Sequence, residues 1–262
     1  MNCLTRSGSQ SKPYAIGIFA LLLVCSSFSP ARAQSYQNTS FDPATPTLPP
    51  SYYGYDPEVF VKEYQEATAA DQRARQKGEF ETTAEYQKRL KEIDTQNPFA
   101  SKTYAFAVAP TNISYDADSQ TFKIGFKPEP APHNINYVSV LLKHGAKDMG
   151  SYTAQNAFGA TFTVTKSLVS SYELWLAKTE GLTTCTILAK VSIPEAQAMK
   201  PYIFALLVVK PLQPYSSVNT TFSDATFSEP HEDVHETGTI YAKSLGVRFY
   251  DATSGRILGS CP

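Results

Sequence analysis

The spacing of apolar residues changes once along the chain and divides it into a helical part and a strand part. Over residues 56–93 apolar side chains recur every three or four positions, as on a helix with one buried face. Asp56 supplies an N-cap acceptor, Pro57 fits the first helical position, and Glu58 places a carboxylate at the positive end of the helix. These three residues predict that a helix begins here.

A second helix is predicted to begin near Thr82, where Thr82 and Glu85 fit a capping box. Its apolar positions are Tyr86, Leu90 and Ile93. It is expected to end at Asn97, because the residue before a proline avoids the helical region. Since the connection between the two helices is short, residues 56–97 are predicted to form an antiparallel helical hairpin. The hairpin is too small and too rich in alanine to bury a core alone, so it is expected to dock on another surface.

Beyond residue 100 apolar and polar residues alternate, which predicts strands. The predicted strands are 104–108, 122–126, 137–142, 160–165, 172–177, 185–191, 203–210, 239–250 and 256–258, with one short helix at 195–200. The apolar run 203–209 is expected to be a central strand. Many short strands between Gly, Pro and Asn turns favour an antiparallel β-sandwich or an open barrel-like domain over residues 101–262. The predicted fold class is therefore α+β.

Residues 1–33 have the pattern of a secretory signal peptide. Arg6 and Lys12 precede an apolar run that is too short to cross a bilayer, and the small residues after it predict cleavage after Ala33. The alternative is a lipoprotein acylated on Cys25. Either way the chain is expected to be exported, to the periplasm or outside the cell.

Residues 34–55 are rich in Pro, Ser, Thr and Tyr, and they are predicted to form a linker without regular structure. Tyr52, Tyr53 and Tyr55 at its end are expected to pack on the helices or on the strand domain. A contact patch for a partner is the alternative for these tyrosines.

The charge balance argues against one class of partner. The leader holds three of the 23 basic residues and none of the 24 acidic ones, so the exported chain carries a net charge of −4. Binding of nucleic acid needs clustered Lys and Arg, which this chain lacks. The expected partner is a protein or another envelope component, with no transmembrane segment after leader cleavage. Homo-oligomerisation through the helical hairpin is a further expectation.

Cys185 and Cys261 are the two cysteines left after leader cleavage. In an oxidising compartment they are expected to form one disulfide that pins the C-terminus to the strand near Cys185. The alternative is a frayed C-terminus with a free Cys261. Two isolated cysteines do not support a zinc site.

One short motif points to metal chemistry. Residues 231–235, His-Glu-Asp-Val-His, fit the pattern in which two histidines on one helical face hold zinc and the glutamate is a general base. Pro230 and Gly238 flank the motif, so too few residues are left for the long helix that this site needs. The segment is therefore predicted to be a polar loop. His231 and His235 are the candidate metal ligands, and a metal-dependent hydrolase is the alternative function.

The other motifs are expected to be structural. Residues 116–120 have the rhythm of a calcium loop, but Thr121 stands where a glycine is required, so a hairpin turn is predicted. Trp175 lies on an alternating strand and is expected to pack on the core or on the sheet face. No catalytic residue and no cofactor are assigned.

Residues 77–90, KGEFETTAEYQKRL, resemble a short helical motif, roughly F-E-T-x-x-E-Y-x-x-R, that recurs in exported bacterial proteins of unknown role. Residues 115–120 and 155–160 are similar to the β regions that follow it in such proteins. The resemblance implies a common architecture over most of residues 75–260 and an envelope location. It implies no activity, cofactor or catalytic residue.

The function expected from the sequence is that of an exported, non-enzymatic binding or structural protein whose ligand the sequence does not identify. A subunit of an envelope assembly, unstable alone, is a third expectation beside the hydrolase.

Overall fold

Strands make up most of the regular structure in the part of the chain that the structure describes. The computed structural model describes residues 36–74, 76–95, 99, 101–132, 134–178 and 184–262. The helices are α1 Pro57–Ala74, α2 Thr83–Thr95 and α3 Ile193–Met199, with a 3-10 helix at Lys200–Tyr202. The strands are β1 Tyr104–Val108, β2 Asn112–Asp116, β3 Thr121–Phe126, β4 Glu129–Pro130, β5 Tyr137–Gln155, β6 Thr161–Ala177, β7 Cys185–Lys190, β8 Ile203–Ser223, β9 His231–Asp251 and β10 Ile257–Cys261. The predicted leader, Cys25 and the predicted helix end at Asn97 lie outside the described residues.

Both predicted helix starts are confirmed by their capping bonds. The Asp56 carboxylate accepts a hydrogen bond from the Glu58 N–H at 3.0 Å, at the start of α1. Before α2, the Thr82 N–H donates to the Glu85 carboxylate at 3.0 Å, and the Glu85 N–H donates to the Thr82 hydroxyl at 3.3 Å. This reciprocal pair is the predicted capping box.

The motif at residues 77–90 includes the turn that precedes α2. The Arg89 guanidinium donates to both oxygens of Glu81, at 2.8 and 2.6 Å, and to the main-chain carbonyl of Gln76 at 3.1 Å. The Gly78 N–H also donates to Glu81, at 3.1 Å. Phe80 in the middle of this turn is 93% exposed. The charged residues of the motif therefore fasten a turn that displays Phe80 to solvent.

The two sheets differ in size, and neither is closed. The large sheet has the strand order β1-β8-β9-β6-β5-β4, with β10 paired to β9, and the small sheet has the order β2-β3-β7. β6 and β9 are parallel, so the prediction of purely antiparallel strands was wrong at this pair. β5–β6 and β8–β9 are two hairpins whose turns lie at the same end of the sheet, so their second strands run in the same direction.

Four strands are much longer than predicted. β5 and β6 have 19 and 17 residues, and β8 and β9 have 21 each. The two short strands predicted at 160–165 and 172–177 are one strand, and the predicted polar loop around residues 231–235 is the start of β9. In these stretches polar and charged residues and glycines take most of the positions at which alternating apolar residues would have indicated a strand.

The main core lies on one face of the large sheet, which we call the inner face. Leu174 and Leu176 of β6 and Ile240 of β9 point to it and pack with Phe122 and Ile124 of the small sheet. α1 adds Phe60 and Val61 to the same core. The α2 side chains described, residues 83–93, are exposed or half-exposed.

The Pro-rich segment at residues 36–55 covers part of the opposite face, which we call the outer face. It contains no helix or extended strand, as its prolines predict. Phe41 and Leu48 are nevertheless buried against Leu206 of β8, and the Leu48 N–H donates to the Gly255 carbonyl at 3.0 Å. Tyr52 and Tyr55 are each 5% exposed, so these two tyrosines pack on the domain as expected.

Cys185 and Cys261 form the predicted disulfide, with a Cα–Cα distance of 5.9 Å. Cys185 begins β7 of the small sheet, and Cys261 ends β10 of the large sheet. The bond therefore links the two sheets as well as holding the C-terminus. No helix among the described residues is long and apolar enough to span a membrane.

Candidate binding surface on the large sheet

The four long strands continue past the core as an extension that we call the arm. It consists of residues 143–155 of β5, 161–171 of β6, 217–223 of β8 and 231–237 of β9. Only Val164 is buried among these residues. At about 3.3 Å per residue, the β6 part alone is about 35 Å long. The arm is exposed to solvent on both faces over most of its length and therefore offers a long contact surface.

α1 packs at the base of the arm on the inner face. A Cβ at Gly238 would lie 2.8 Å from Tyr172 and 3.2 Å from Val61, so glycine is needed for the helix to approach. Lys143 of β5 binds the carboxylates that begin α1, at 3.2 Å from Asp56 and 2.7 Å from Glu58. The helix and the arm are therefore joined by both packing and charge.

Farther along the arm, the inner face carries a small polar group around Glu232. Its carboxylate is 2.9 Å from the Lys166 ammonium and accepts a hydrogen bond from the Tyr152 hydroxyl at 3.0 Å. The hydrogen bond from Lys166, and to a smaller extent that from Tyr152, lowers the pKa of Glu232 below its ordinary value. A lowered pKa is the opposite of what a general base working near neutral pH requires.

His231 and His235 lie on the outer face of β9, whereas Glu232 lies on the inner face. Residues four apart on a strand are separated by about 13 Å, so the two imidazoles do not converge on one ion. Residues 231–235 form a strand, and the zinc-protease arrangement requires a helix. Within the described residues no group of three or more His, Cys, Asp or Glu side chains could hold a metal ion. The structure does not assemble the site that the motif suggested.

Three aromatic rings lie together on the outer face at the base of the arm, and we call them the aromatic cluster. Trp175 is opposite Tyr241 across the β6–β9 pair, with 5.7 Å between ring centroids. Tyr137 of β5 is 6.0 Å from Trp175 and 5.7 Å from Tyr241. All three rings are partly exposed.

Polar contacts fix two of these rings. The Trp175 Nε1–H donates to the Glu173 carboxylate at 2.8 Å. The Tyr241 hydroxyl lies 3.1 Å from the Ser217 hydroxyl. Ligand binding therefore would not have to order these side chains first, which lowers the entropic cost of association.

Two lysines border the aromatic cluster on the same face. Lys210 of β8 and Lys243 of β9 are direct cross-strand partners, and Lys243 is two residues from Tyr241. Like charges at opposing positions destabilise a sheet. Their ammonium groups lie on the same face as the three aromatic rings and the Glu173 carboxylate, so charged groups and apolar ring surface occur together there.

The outer face of the arm itself is polar. Hydroxyl groups form cross-strand contacts along it, such as Ser171 with Thr237 at 3.1 Å, and Ser167 donates to Asp233. Side chains of this kind offer hydrogen bonds without a strong charge of one sign. The aromatic cluster thus stands at one end of a long hydrogen-bonding surface.

The sequence contains part of the signal for this cluster. Trp175 lies between the buried residues Leu174 and Leu176, and Tyr241 lies between the buried residues Ile240 and Ala242. Alternation alone therefore places both rings on the face away from the core, in line with the sheet-face packing expected for Trp175. The parallel β6–β9 pairing, which brings the rings together, could not be inferred from alternation.

A small pocket between α1 and β1 is a weaker candidate. It has a volume of about 270 Å³ and is lined in part by Tyr55, Glu63, Lys102 and Tyr104. The Tyr55 hydroxyl donates to Glu63 at 2.6 Å, and burial raises the pKa of Tyr104 to about 12. Both tyrosines are thus held in their neutral form, and their rings serve the core.

No known protein family, curated protein or solved structure matches the chain.

Proposed function

We propose that this chain is an exported, non-enzymatic binding protein that holds an acidic polysaccharide against the aromatic cluster and the polar outer face of its large sheet. The observation that carries the proposal is the grouping of Tyr137, Trp175 and Tyr241 beside Lys210 and Lys243 on a partly exposed sheet face.

The chemistry of a sugar chain fits this grouping. A sugar ring presents C–H groups on its faces, which pack on aromatic rings, and hydroxyl groups at its rim, which need hydrogen-bond partners. Carboxylates on the sugar would pair with Lys210. The Ser and Thr hydroxyls of the arm would serve the following residues of an extended chain.

Export is part of the same proposal. A leader at residues 1–33 would direct the chain to the periplasm or the cell exterior, with acylation of Cys25 as the alternative route. The disulfide supports this location, because such bonds persist in oxidising compartments. The architecture we infer is an N-terminal helical hairpin docked on a two-sheet sandwich.

Trp175 makes the proposal directly testable, because it is the one tryptophan in the chain. Titrating the full exported chain with polygalacturonate or alginate should change its tryptophan emission saturably, and dextran should have a weaker effect. Raising the salt concentration from about 0.1 M to about 1 M shortens the Debye length from about 10 Å to about 3 Å, so the lysine contribution should fall.

Two variants and one control complete the test. Tyr241→Ala should weaken binding about tenfold, the loss expected for one aromatic contact of about 1.4 kcal/mol. Lys210→Gln should weaken binding of the acidic polysaccharide and leave the dextran result unchanged. Tyr202→Ala, which removes a 48% exposed tyrosine outside the cluster, should bind as the parent does. Equal losses in Tyr241→Ala and Tyr202→Ala would refute the proposed surface.

A further inference from the structure

The arm has two long edges that no described strand covers, and they differ in their protection against pairing with a further strand. β4 pairs with β5 only at Val138 and Ser139, so the rest of β5 forms one edge. β1 pairs with β8 only from Ala205 to Val209, so the end of β8 forms the other edge. A free strand edge presents unpaired N–H and C=O groups, and proteins normally guard it with charges, prolines or bulges.

The β5 edge is guarded. Lys147 and Asp148 lie on it, and its pairing with β6 shifts register between Leu141 and Lys143 and again between Asp148 and Gly150. Gly150 has a φ of +93°, as expected at an irregular point of a strand. A further strand could not add along this edge without meeting charges and kinks.

The last part of the β8 edge, residues 216–223, has none of these devices, whereas Pro211, Pro214 and a register shift precede it. Residues 216–223, Ser-Ser-Val-Asn-Thr-Thr-Phe-Ser, contain no charge and no proline, and they pair with β9 without a register shift. All from residue 217 onward are exposed except the half-buried Val218. This edge is regular, neutral and open.

The sequence of this edge is complementary to itself in one register. If two copies pair antiparallel about Thr220, each Phe222 lies opposite Val218 of the other copy, and Ser217 lies opposite Ser223. Phe222 is 73% exposed in the single chain, and both apolar residues lie on the inner face of the sheet. Pairs of an aromatic and a β-branched residue are favourable across strands, and no like charges meet.

We propose that two copies of this chain associate through residues 216–223 of β8, in an antiparallel pair centred on Thr220 that joins the two large sheets into one. The contact is isologous, so it closes after two copies, and the guarded β5 edge prevents growth into a filament. An interface this narrow is below the usual size of permanent ones, so dimerisation depends on concentration.

Cysteine cross-linking of the full exported chain tests the register. Under mild oxidation Thr220→Cys should give a disulfide-linked dimer at least tenfold faster than Thr163→Cys, an exposed control in β6. Ser217→Cys alone should not cross-link above the control, because the two copies of residue 217 are about 20 Å apart along the strands. A mixture of Ser217→Cys and Ser223→Cys should give the mixed dimer.

Sedimentation velocity over a concentration series tests the dimer itself. Thr220→Lys places two ammonium groups opposite each other and should raise the dissociation constant at least tenfold, whereas Thr163→Lys should not change it. A parent chain that stays monomeric at every concentration would overturn the proposal. A dimer that Thr220→Lys leaves intact would also overturn it, and so would equal cross-linking rates for Thr220→Cys and Thr163→Cys. Association through the helices at residues 56–97 would give both of these results.

Discussion

Replacing Phe60 by alanine tests how firmly α1 is built into the domain. Phe60 is fully buried, and its ring centroid lies 4.9 Å from Tyr104, 5.4 Å from Phe99, 6.0 Å from Tyr55 and 6.1 Å from Phe106. All four neighbours meet it edge to face, the geometry in which aromatic pairs gain energy beyond the area they bury.

We expect the loss of unfolding free energy in Phe60→Ala to lie in the upper part of the range measured for buried phenylalanines. Removing a buried phenylalanine costs about 3 to 5 kcal/mol, and the cost rises when the neighbours cannot close the cavity. Three of these neighbours belong to β1 or to the chain just before α1, where main-chain hydrogen bonds such as Tyr55 N–H to Ala105 O hold them in place. We therefore expect Phe60→Ala to lower the free energy of unfolding by about 4 kcal/mol.

Phe80→Ala is the matched control, because it removes the same side chain from a position that is 93% exposed. It should change the free energy of unfolding by less than about 0.5 kcal/mol. Urea unfolding followed by near-ultraviolet and far-ultraviolet circular dichroism gives both values, together with the m-value that shows whether α1 unfolds with the sheets. A loss below about 1 kcal/mol for Phe60→Ala, or equal losses in both variants, would refute this account of α1.

Three further perturbations have defined outcomes. Replacing Cys185 and Cys261 by serine opens a loop with a sequence separation of 76 and should lower stability by about 4 kcal/mol in urea unfolding; an unchanged midpoint would contradict this. Gly238→Val should cost about 1 to 3 kcal/mol in the same assay, because its side chain would collide with Tyr172 and Val61, whereas Gly145→Val, with no atom near its Cβ, serves as the control. The hydrogen bond from Arg89 lowers the pKa of Glu81 from 4.5 to about 2. The contribution of this ion pair to the stability of the turn is therefore complete above pH 4.5 and is lost as the pH falls towards 2. The protection of the amides at the start of α2, measured relative to their intrinsic exchange rates at each pH, should fall over that range in the parent chain, and an equal fall in a Glu81→Gln variant would exclude this cause.

Features that depend on neighbouring residues in the sequence were predictable. The N-cap at Asp56 and the capping box at Thr82 each involve residues within three positions, so the sequence contains the whole signal. The disulfide was predictable for a different reason, since removal of the predicted leader would leave Cys185 and Cys261 as the available pair. Their bond is confirmed.

Features that depend on strand neighbours were not predictable. The arm has polar residues on its outer face and few apolar ones on its inner face, so neither alternation nor an apolar run marks its strands. Residues 231–235 are an example, because their sequence matches a metal-binding motif that requires a helix, whereas in this structure they form part of a strand. The aromatic cluster requires Trp175 and Tyr241 to be partners across a parallel pair, and periodicity gives the face of a strand but not its neighbour.

The most direct measurement of the central claim is the emission of Trp175 during titration with an acidic polysaccharide. The account predicts a saturable change in the parent chain, about tenfold weaker binding in Tyr241→Ala, and parent-like binding in Tyr202→Ala. Emission that stays constant with acidic and neutral polysaccharides alike would contradict it.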